Sequence, residues 1–178
     1  MKPAKVKPIL SIIIGIVCFV LLTLFDQITK QWAVLHLYGQ NPIVLIQNVF
    51  QLQYLENRGA AFGVLQGRRT VFIVLTIVVL ALIAYLYARI PFERKYRILR
   101  ILMVIIAAGA VGNFIDRISQ NYVVDFFYIK AIDFPIFNVA DIYVTCGVII
   151  LALFLIFKYK DDDFTEMAQC LRFKKKVM

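Results

Sequence analysis

The segment VVDFFYIKAIDFPIFNVAD, residues 123–141, lies between two long apolar stretches of the chain. It places Asp125, Asp133 and Asp141 among aromatic and β-branched residues. Carboxylates are costly near hydrocarbon, and a membrane protein that keeps them there usually has a functional reason. The long apolar stretches on either side indicate a membrane protein. The three aspartates raise the question of which are ordinary surface or capping charges and which do chemistry.

Four stretches are long and apolar enough to cross a bilayer, whose core needs about 17 to 25 mostly apolar residues. They cover residues 9–33, 70–88, 98–115 and 139–157. Hydrophobic residues make up 62% of the 178 residues and charged residues only 17%, against about 25% charged residues in soluble domains. We therefore predict a mainly α-helical, polytopic protein with four transmembrane helices. Residues 1–158 form one membrane domain, and residues 159–178 form a polar, partly disordered cytoplasmic tail.

The first apolar stretch could also be a cleaved signal peptide, because lysines precede it. No small-x-small cleavage site follows the stretch, however, and Val17 is too large for the position before Cys18 in a lipoprotein signal. Asp26 and Lys30 come next at helical spacing. We expect this stretch to be retained as a membrane span.

The net charge of +9 is distributed unevenly over the predicted loops. Most Lys and Arg residues lie before the first span, in the loop 89–100 and after residue 157. Excess positive charge on one side of the membrane marks the cytoplasmic side. Both termini are therefore expected in the cytoplasm and the loops 38–69 and 118–137 outside. The basic tail is expected to meet anionic lipid headgroups and not nucleic acid.

The two outer loops have the composition of strands. VFQLQYLEN (49–57) alternates apolar and polar residues, which is typical of a half-buried strand. YVVDFFYI (122–129) is rich in β-branched and aromatic residues and could pair with it. NRGAAFG (57–63) suits a tight turn. We predict a small sheet on the outer membrane face, and expect the loop 89–100 only to connect two spans.

The residue composition limits which kinds of metal or catalytic site the chain could form. The chain has one histidine and no cysteine pair at metal-ligand spacing, so a zinc site has almost no ligands. It also lacks a nucleophile elbow and a glycine-rich phosphate loop, and nothing local supports a pair of Ser119 with Lys130. We expect no metal and no cofactor. If the protein is an enzyme, its reactive groups are carboxylates.

Several polar residues have a structural interpretation. Asp26 and Lys30 are four apart on one helix face and suit an ion pair. Asp116 lies at a helix C-terminus, where an acid is disfavoured, and needs Arg117 or Lys30 as a partner. Asn138 with Asp141 resembles a capping box. Asp133 reads as a turn residue.

Asp125 has no such explanation, because it interrupts a strand-like run in which aspartate is rare. Two converging carboxyls cannot both ionise easily, so one keeps a proton while the other can accept one from water. Such a pair could hydrolyse an amide bond. Asn113 and Asn138 could grip a peptide backbone, and Arg117 could hold a substrate carbonyl or orient an acid.

Five segments together resemble the lipoprotein signal peptidases of bacteria, also called signal peptidase II. They are FDQITKQ (25–31), ENRGAAFG (56–63), GAVGNFIDR (109–117), VVDFF (123–127) and FNVAD (137–141), in the family's order. The resemblance implies a four-helix membrane bundle with a small outer β-element. It also implies an aspartyl endopeptidase that removes the signal peptide ahead of a diacylglyceryl-modified cysteine. Ala108, where the family often has glycine, suggests slightly different helix packing.

The resemblance also implies roles for individual residues. It implies that Asp125 and Asp141 are catalytic, which overturns a purely capping role for Asp141. The residues that it implies for the substrate site are Asn57, Asn113, Arg117 and Asn138. We add Gly59 as a substrate-binding candidate, because the segment from Gly59 to Gly63 could close over the peptide. Asp26, Lys30 and Asp116 match positions that support the fold.

We expect the enzyme to be a monomer in the cytoplasmic membrane, with its site near the outer leaflet and a lipid-modified prolipoprotein as substrate. A transporter is one alternative, since carboxylates within a membrane also mark ion paths. A non-catalytic assembly factor is another. The acids lie at one side of the bilayer and form no chain across it, which speaks against transport.

Overall fold

The computed structural model of the protein describes residues 8–59 and 68–171. Four of its helices are long and apolar enough to cross a membrane. They are α1 (Pro8–Leu37), α2 (Arg69–Arg89), α3 (Arg97–Ser119) and α4 (Val139–Phe157). The prediction of four spans is confirmed. Helices α1 and α3 continue four residues beyond their predicted C-terminal ends, to Leu37 and Ser119. Lys30 and Asp116, near those ends, are buried inside the bundle.

Helix α3 is the central helix and packs against each of the other three spans. Its glycines permit close approach: a Cβ at Gly109 would lie 2.5 Å from the Ala140 carbonyl oxygen, and one at Gly112 would overlap the Asp26 carboxylate. Helix α2 buries none of its residues in the bundle. A helix that is apolar on all sides suits contact with lipid.

Three strands form an antiparallel sheet after α1 and α3. They are β1 (Ile43–Ile46), β2 (Phe50–Asn57) and β3 (Val123–Ile129), in the order β1-β2-β3. The predicted strands and their pairing are confirmed, with Leu55 opposite Asp125. Strand β1 was not predicted, because its four exposed residues IVLI carry no alternation. Of the predicted turn 57–63, residues 60–63 lie outside the described part of the chain.

The segment after α4 differs from the expected polar, partly disordered tail. A fifth helix, α5, covers Asp161–Leu171 and begins with three aspartates, which suit the positive end of a helix. Its Met167 is buried in one apolar cluster with Tyr96 and Leu99. Lys95 pairs with Asp163 and Glu166. The loop 89–100 therefore does more than connect, because its Tyr96 and Lys95 anchor α5.

Candidate active site

Asp125 lies in the middle of β3 and has no exposed surface. Its Oδ2 accepts a hydrogen bond from Asn57 Nδ2 at 2.8 Å, and its Oδ1 accepts one from Asn138 Nδ2 at 2.6 Å. Burial, with the negative charge of Asp141 as the second cause, raises the pKa of Asp125 to about 7, although the two amides oppose the shift. Near neutral pH this carboxyl is therefore poised between its protonated and ionised forms.

Asp141 lies in the first turn of α4 and forms a capping box with Asn138. The Asp141 backbone N–H donates to Asn138 Oδ1 at 2.9 Å, and the Asn138 backbone N–H donates to Asp141 Oδ2 at 3.1 Å. The capping prediction is confirmed. The other carboxylate oxygen, Oδ1, accepts a hydrogen bond from Asn113 Nδ2 at 2.8 Å. A capping residue thus keeps one oxygen directed into the bundle.

Two asparagines connect the aspartates. Asn138 is fully buried, donates its side-chain amide to Asp125, and forms the capping box with Asp141. The same amide donates to Asn113 Oδ1 at 3.1 Å and to the Val124 carbonyl at 3.3 Å. Asn113 in turn donates to Asp141. The two carboxyls therefore belong to one hydrogen-bonded network.

Lys30 lies beneath this network and is 3% exposed. Its ammonium contacts Asp26 Oδ2 at 2.9 Å, Asp116 Oδ2 at 3.0 Å and Asn113 Oδ1 at 2.9 Å. The predicted Asp26–Lys30 ion pair is present in the structure. Of the two partners predicted for Asp116, the structure selects Lys30. Because an ammonium only donates hydrogen bonds, its contact requires the Asn113 oxygen to face Lys30 and the nitrogen to face Asp141.

Asp26 and Asp116 also receive backbone hydrogen bonds from the segments that carry the two central aspartates. Asp26 Oδ1 accepts from the Ala140 N–H at 2.9 Å, and Asp116 Oδ2 accepts from the Val124 N–H at 3.2 Å. Ala140 and Val124 directly precede Asp141 and Asp125. The ion pairs of Lys30 with Asp26 and Asp116 thus hold in place the backbone segments that carry Asp125 and Asp141.

A cleft of about 470 Å³ opens beside Asp141. Its polar wall includes Asn57, Gly59 and Arg117, and its apolar wall includes Phe72 and Ile142. Arg117 lies 4.7 Å from the centre of the Phe72 ring and donates to the Gly59 carbonyl at 3.4 Å. The cleft therefore combines a cation, a backbone carbonyl, a carboxylate and an apolar surface.

Comparison with known proteins fits this arrangement. The family model described as signal peptidase (SPase) II matches residues 18–157. The chain belongs to the signal peptidase II family. It is therefore a peptidase, and the resemblance noted in the sequence is confirmed.

Individual relatives cover most of both chains. A lipoprotein signal peptidase of Clostridium tetani is 40% identical over 85% of this chain and 96% of its own length. One from Streptococcus pyogenes is 38% identical over 84% and 95%. A solved structure described as a bacterial membrane enzyme matches with a TM-score of 0.71 at 28% identity, covering both chains fully. A second has the same TM-score at 31% identity, covering 89% of this chain and 99% of its own.

In this member of the signal peptidase II family, the site residues expected from the sequence fall into two groups. One group lines the cleft: Asn57, Gly59, Arg117 and Asp141. The other is buried behind it: Asp26, Lys30, Asn113, Asp116, Asp125 and Asn138. Asp133 belongs to neither group, since it is exposed and has a left-handed backbone with φ of 49°, in agreement with its interpretation as a turn residue.

The sequence analysis missed Gln27. Its side-chain nitrogen donates to Asp116 Oδ1 at 3.0 Å, to Asp26 Oδ2 at 3.1 Å and to the Gly112 carbonyl at 3.1 Å. Gln27 therefore joins α1 to α3 beside Lys30. Two signals in the sequence could have found it: Gln27 lies in the family segment FDQITKQ, and it is three residues before Lys30, a spacing that shares a helix face.

Proposed function

We propose that this protein removes signal peptides from prolipoproteins as an aspartyl endopeptidase, with Asp125 and Asp141 as the catalytic pair. The substrate class is that of its relatives, which are lipoprotein signal peptidases. The observation that carries the proposal is the network in which Asn138 bonds both aspartates beside an open cleft. Two carboxyls in one network can divide a single proton, which is the resting state that metal-free amide hydrolysis needs.

In the proposed reaction Asp125 holds the shared proton, as its raised pKa favours. Asp141 faces the cleft and accepts two N–H donors at the positive end of α4, which suits the ionised partner. Asp141 takes a proton from water while Asp125 donates its proton to the scissile carbonyl oxygen. The hydroxyl oxygen bonds to the carbonyl carbon. The C–N bond then breaks. The amine that leaves, on the lipid-modified cysteine, takes the proton from Asp141, and one hydroxyl of the intermediate returns its proton to Asp125 as the carbonyl re-forms.

The other site residues either orient the two acids or contact the substrate. Asn113 and Asn138 use their amide groups on the two carboxyls, so we propose that they orient the acids and do not grip the peptide. Asn57, Gly59 and Arg117 line the cleft and are placed to meet the peptide backbone. The apolar wall of the cleft would take the substrate's acyl chains.

The positive-inside distribution supports an orientation with both termini in the cytoplasm and the aspartates near the outer leaflet of the cytoplasmic membrane. A cysteine introduced at Gln47, in the loop 38–69, tests this orientation. We expect a membrane-impermeant reagent to label this cysteine from outside. Labelling only from the cytoplasmic side would mean that the protein has the opposite orientation.

The decisive experiment offers a diacylglyceryl-modified precursor to the purified protein and to its Asp125→Asn and Asp141→Asn variants. Both variants should lose cleavage while remaining folded and inserted in the membrane, because asparagine has the size of aspartate and its amide oxygen can still accept one of the two N–H donors. Asp133→Asn is the matched control. It removes a carboxylate from the same segment, but from an exposed turn, and should cleave normally. Near-normal cleavage by either Asp125→Asn or Asp141→Asn would remove that residue from the catalytic pair.

A further inference from the structure

A second groove lies between α1 and α3, at the end of the bundle opposite the aspartates. Its volume is about 530 Å³. Its α1 wall extends from Leu10 to Leu22, and its α3 wall from Arg97 to Ile105. At 1.5 Å per helical residue, the α1 wall is about 18 Å long. That length matches one leaflet of a hydrocarbon core about 30 Å thick.

Away from its two arginines, the surface of this groove is mostly apolar. Ile14, Leu21 and Leu22 line one side, and Ile101 and Val104 line the other. Such a surface cannot bind a free polar molecule along its length. An extended acyl chain would fill it, with apolar contacts on both sides.

Arg100 lies at the polar end of the groove and is 4% exposed. Its Nη1 donates to the carbonyls of Tyr87 at 3.0 Å and Ile90 at 2.8 Å, and its guanidinium lies against the Phe92 ring. Within the described residues, its Nε and Nη2 have no hydrogen-bond partner. Buried donors without partners cost free energy and point to an acceptor that the protein itself does not supply.

Arg97 adds a second positive charge at the same end. It precedes Arg100 by one helical turn, lines the groove and is exposed. In the described part of the chain it makes no ion pair. The first turn of α3 holds no acidic residue and its N-cap has no side-chain hydrogen bond, so the helix dipole favours an anion as well. Asp163 and Glu166 pair with Lys95 and do not line the groove.

We propose that this groove binds an anionic phospholipid, with the phosphate at Arg97 and Arg100 and one acyl chain between α1 and α3. Basic pockets between transmembrane helices on the cytoplasmic side are known to take acidic lipid headgroups. The lipid would come from the leaflet opposite to the one that we propose for the substrate. The inference does not depend on the peptidase reaction, since no residue of the catalytic network lines the groove.

Native mass spectrometry of the purified protein with equal amounts of phosphatidylglycerol and phosphatidylcholine tests the proposal. Wild type should bind phosphatidylglycerol preferentially. Arg97→Gln should weaken that binding by roughly fivefold, the usual effect of one basic residue near an anionic lipid. Cys18→Phe, which fills the groove from its exposed α1 wall, should reduce the binding of both lipids. Thermal unfolding checks that each variant is folded, and Arg100 is left intact because it caps α2.

Arg94→Gln is the matched control, because Arg94 is exposed at the same end of the bundle but does not line the groove. It should leave phosphatidylglycerol binding unchanged. Equal losses in Arg94→Gln and Arg97→Gln would show general surface attraction and overturn the proposal, as would equal binding of the two lipids by wild type. Displacement of the lipid by millimolar inorganic phosphate would assign the arginines to a free anion and overturn the lipid as occupant.

Discussion

At the scale of single residues, the buried side chain of Lys30 determines how neighbouring side chains are oriented. Its ammonium has three acceptors, Asp26, Asp116 and Asn113, so each of its three hydrogens has a partner. The contact with Asn113 aims the amide nitrogen of that residue at Asp141. Lys30 therefore supports the fold, as the sequence suggested, and it also positions the proposed catalytic pair.

Lys30→Met should lower both stability and cleavage. Removal of one partner from a buried ion network costs about 3–5 kcal/mol, because the remaining carboxylates stay buried without a cation. Loss of the Asn113 orientation should lower kcat by roughly 100-fold with a smaller change in KM. Denaturant unfolding and precursor cleavage measure the two effects. Lys130→Met, at an exposed position, should change neither, and an unaltered kcat in Lys30→Met would restrict Lys30 to a structural role.

The raised pKa of Asp125 predicts the pH dependence of cleavage. In the proposed mechanism the active state has one proton on the pair, so the rate should fall as pH rises through about 7 and Asp125 ionises. The Asn57 hydrogen bond favours the ionised form and lowers this pKa. Asn57→Ala should therefore move the alkaline limb of the kcat/KM profile to higher pH, in addition to any loss of substrate binding.

Gln53→Ala is the control for this pH shift, since Gln53 lies on the same strand and its side chain bonds Gln51. Its profile should match that of the wild type. An alkaline limb that stays in place in Asn57→Ala would mean that a group other than Asp125 controls the profile.

At the scale of elements, two local structures bring the site together. The pairing of β2 with β3 places Asn57 beside Asp125, and the capping box at the start of α4 places Asn138 between Asp125 and Asp141. Close packing of α3 against α1 and α4 then brings Lys30 and its partners Asp26, Asp116 and Asn113 next to these two local structures. The site therefore depends on helix separation as much as on its polar residues.

Gly112→Ala tests the dependence on helix separation. The added Cβ would overlap the Asp26 carboxylate, which accepts from Lys30 and from the Ala140 N–H. Overpacking of this kind costs about 1–3 kcal/mol, and displacement of Asp26 should also shift the start of α4 and slow cleavage. Unfolding and cleavage assays measure both. Ile115→Val, on the exposed side of the same helix, should be close to wild type, and a fully active, stable Gly112→Ala would show that the contact can relax.

At the scale of the whole molecule, the two ends of the bundle have different chemistry. One end holds the aspartates, the sheet and the cleft. The other end holds Arg97, Arg100 and α5. Of these, only α5 lies beyond the part of the chain that matches the family model. This asymmetry agrees with the charge distribution of the sequence and is the basis for the proposed orientation.

The sequence by itself determined the four spans and two of the three strands, because the length of an apolar run and an alternating or β-branched pattern are local properties of a chain. Its family motifs also led to the proposal that Asp125 and Asp141 are the catalytic pair. Strand β1 and helix α5 were missed: β1 has no alternation, and α5 depends on the distant contacts of Tyr96 and Lys95.

Only the tertiary structure decided how the polar residues pair. Spacing along the chain left Asp116 with two candidate partners and Asp141 with either a capping or a catalytic role. In the folded bundle Lys30 pairs with Asp116, and Asp141 caps α4 while it accepts from Asn113. The Lys30–Asp116 and Asn113–Asp141 contacts join residues far apart in the sequence. Hydrogen-bond geometry of this kind depends on helix packing and cannot be read from local spacing, which indicated only the capping box.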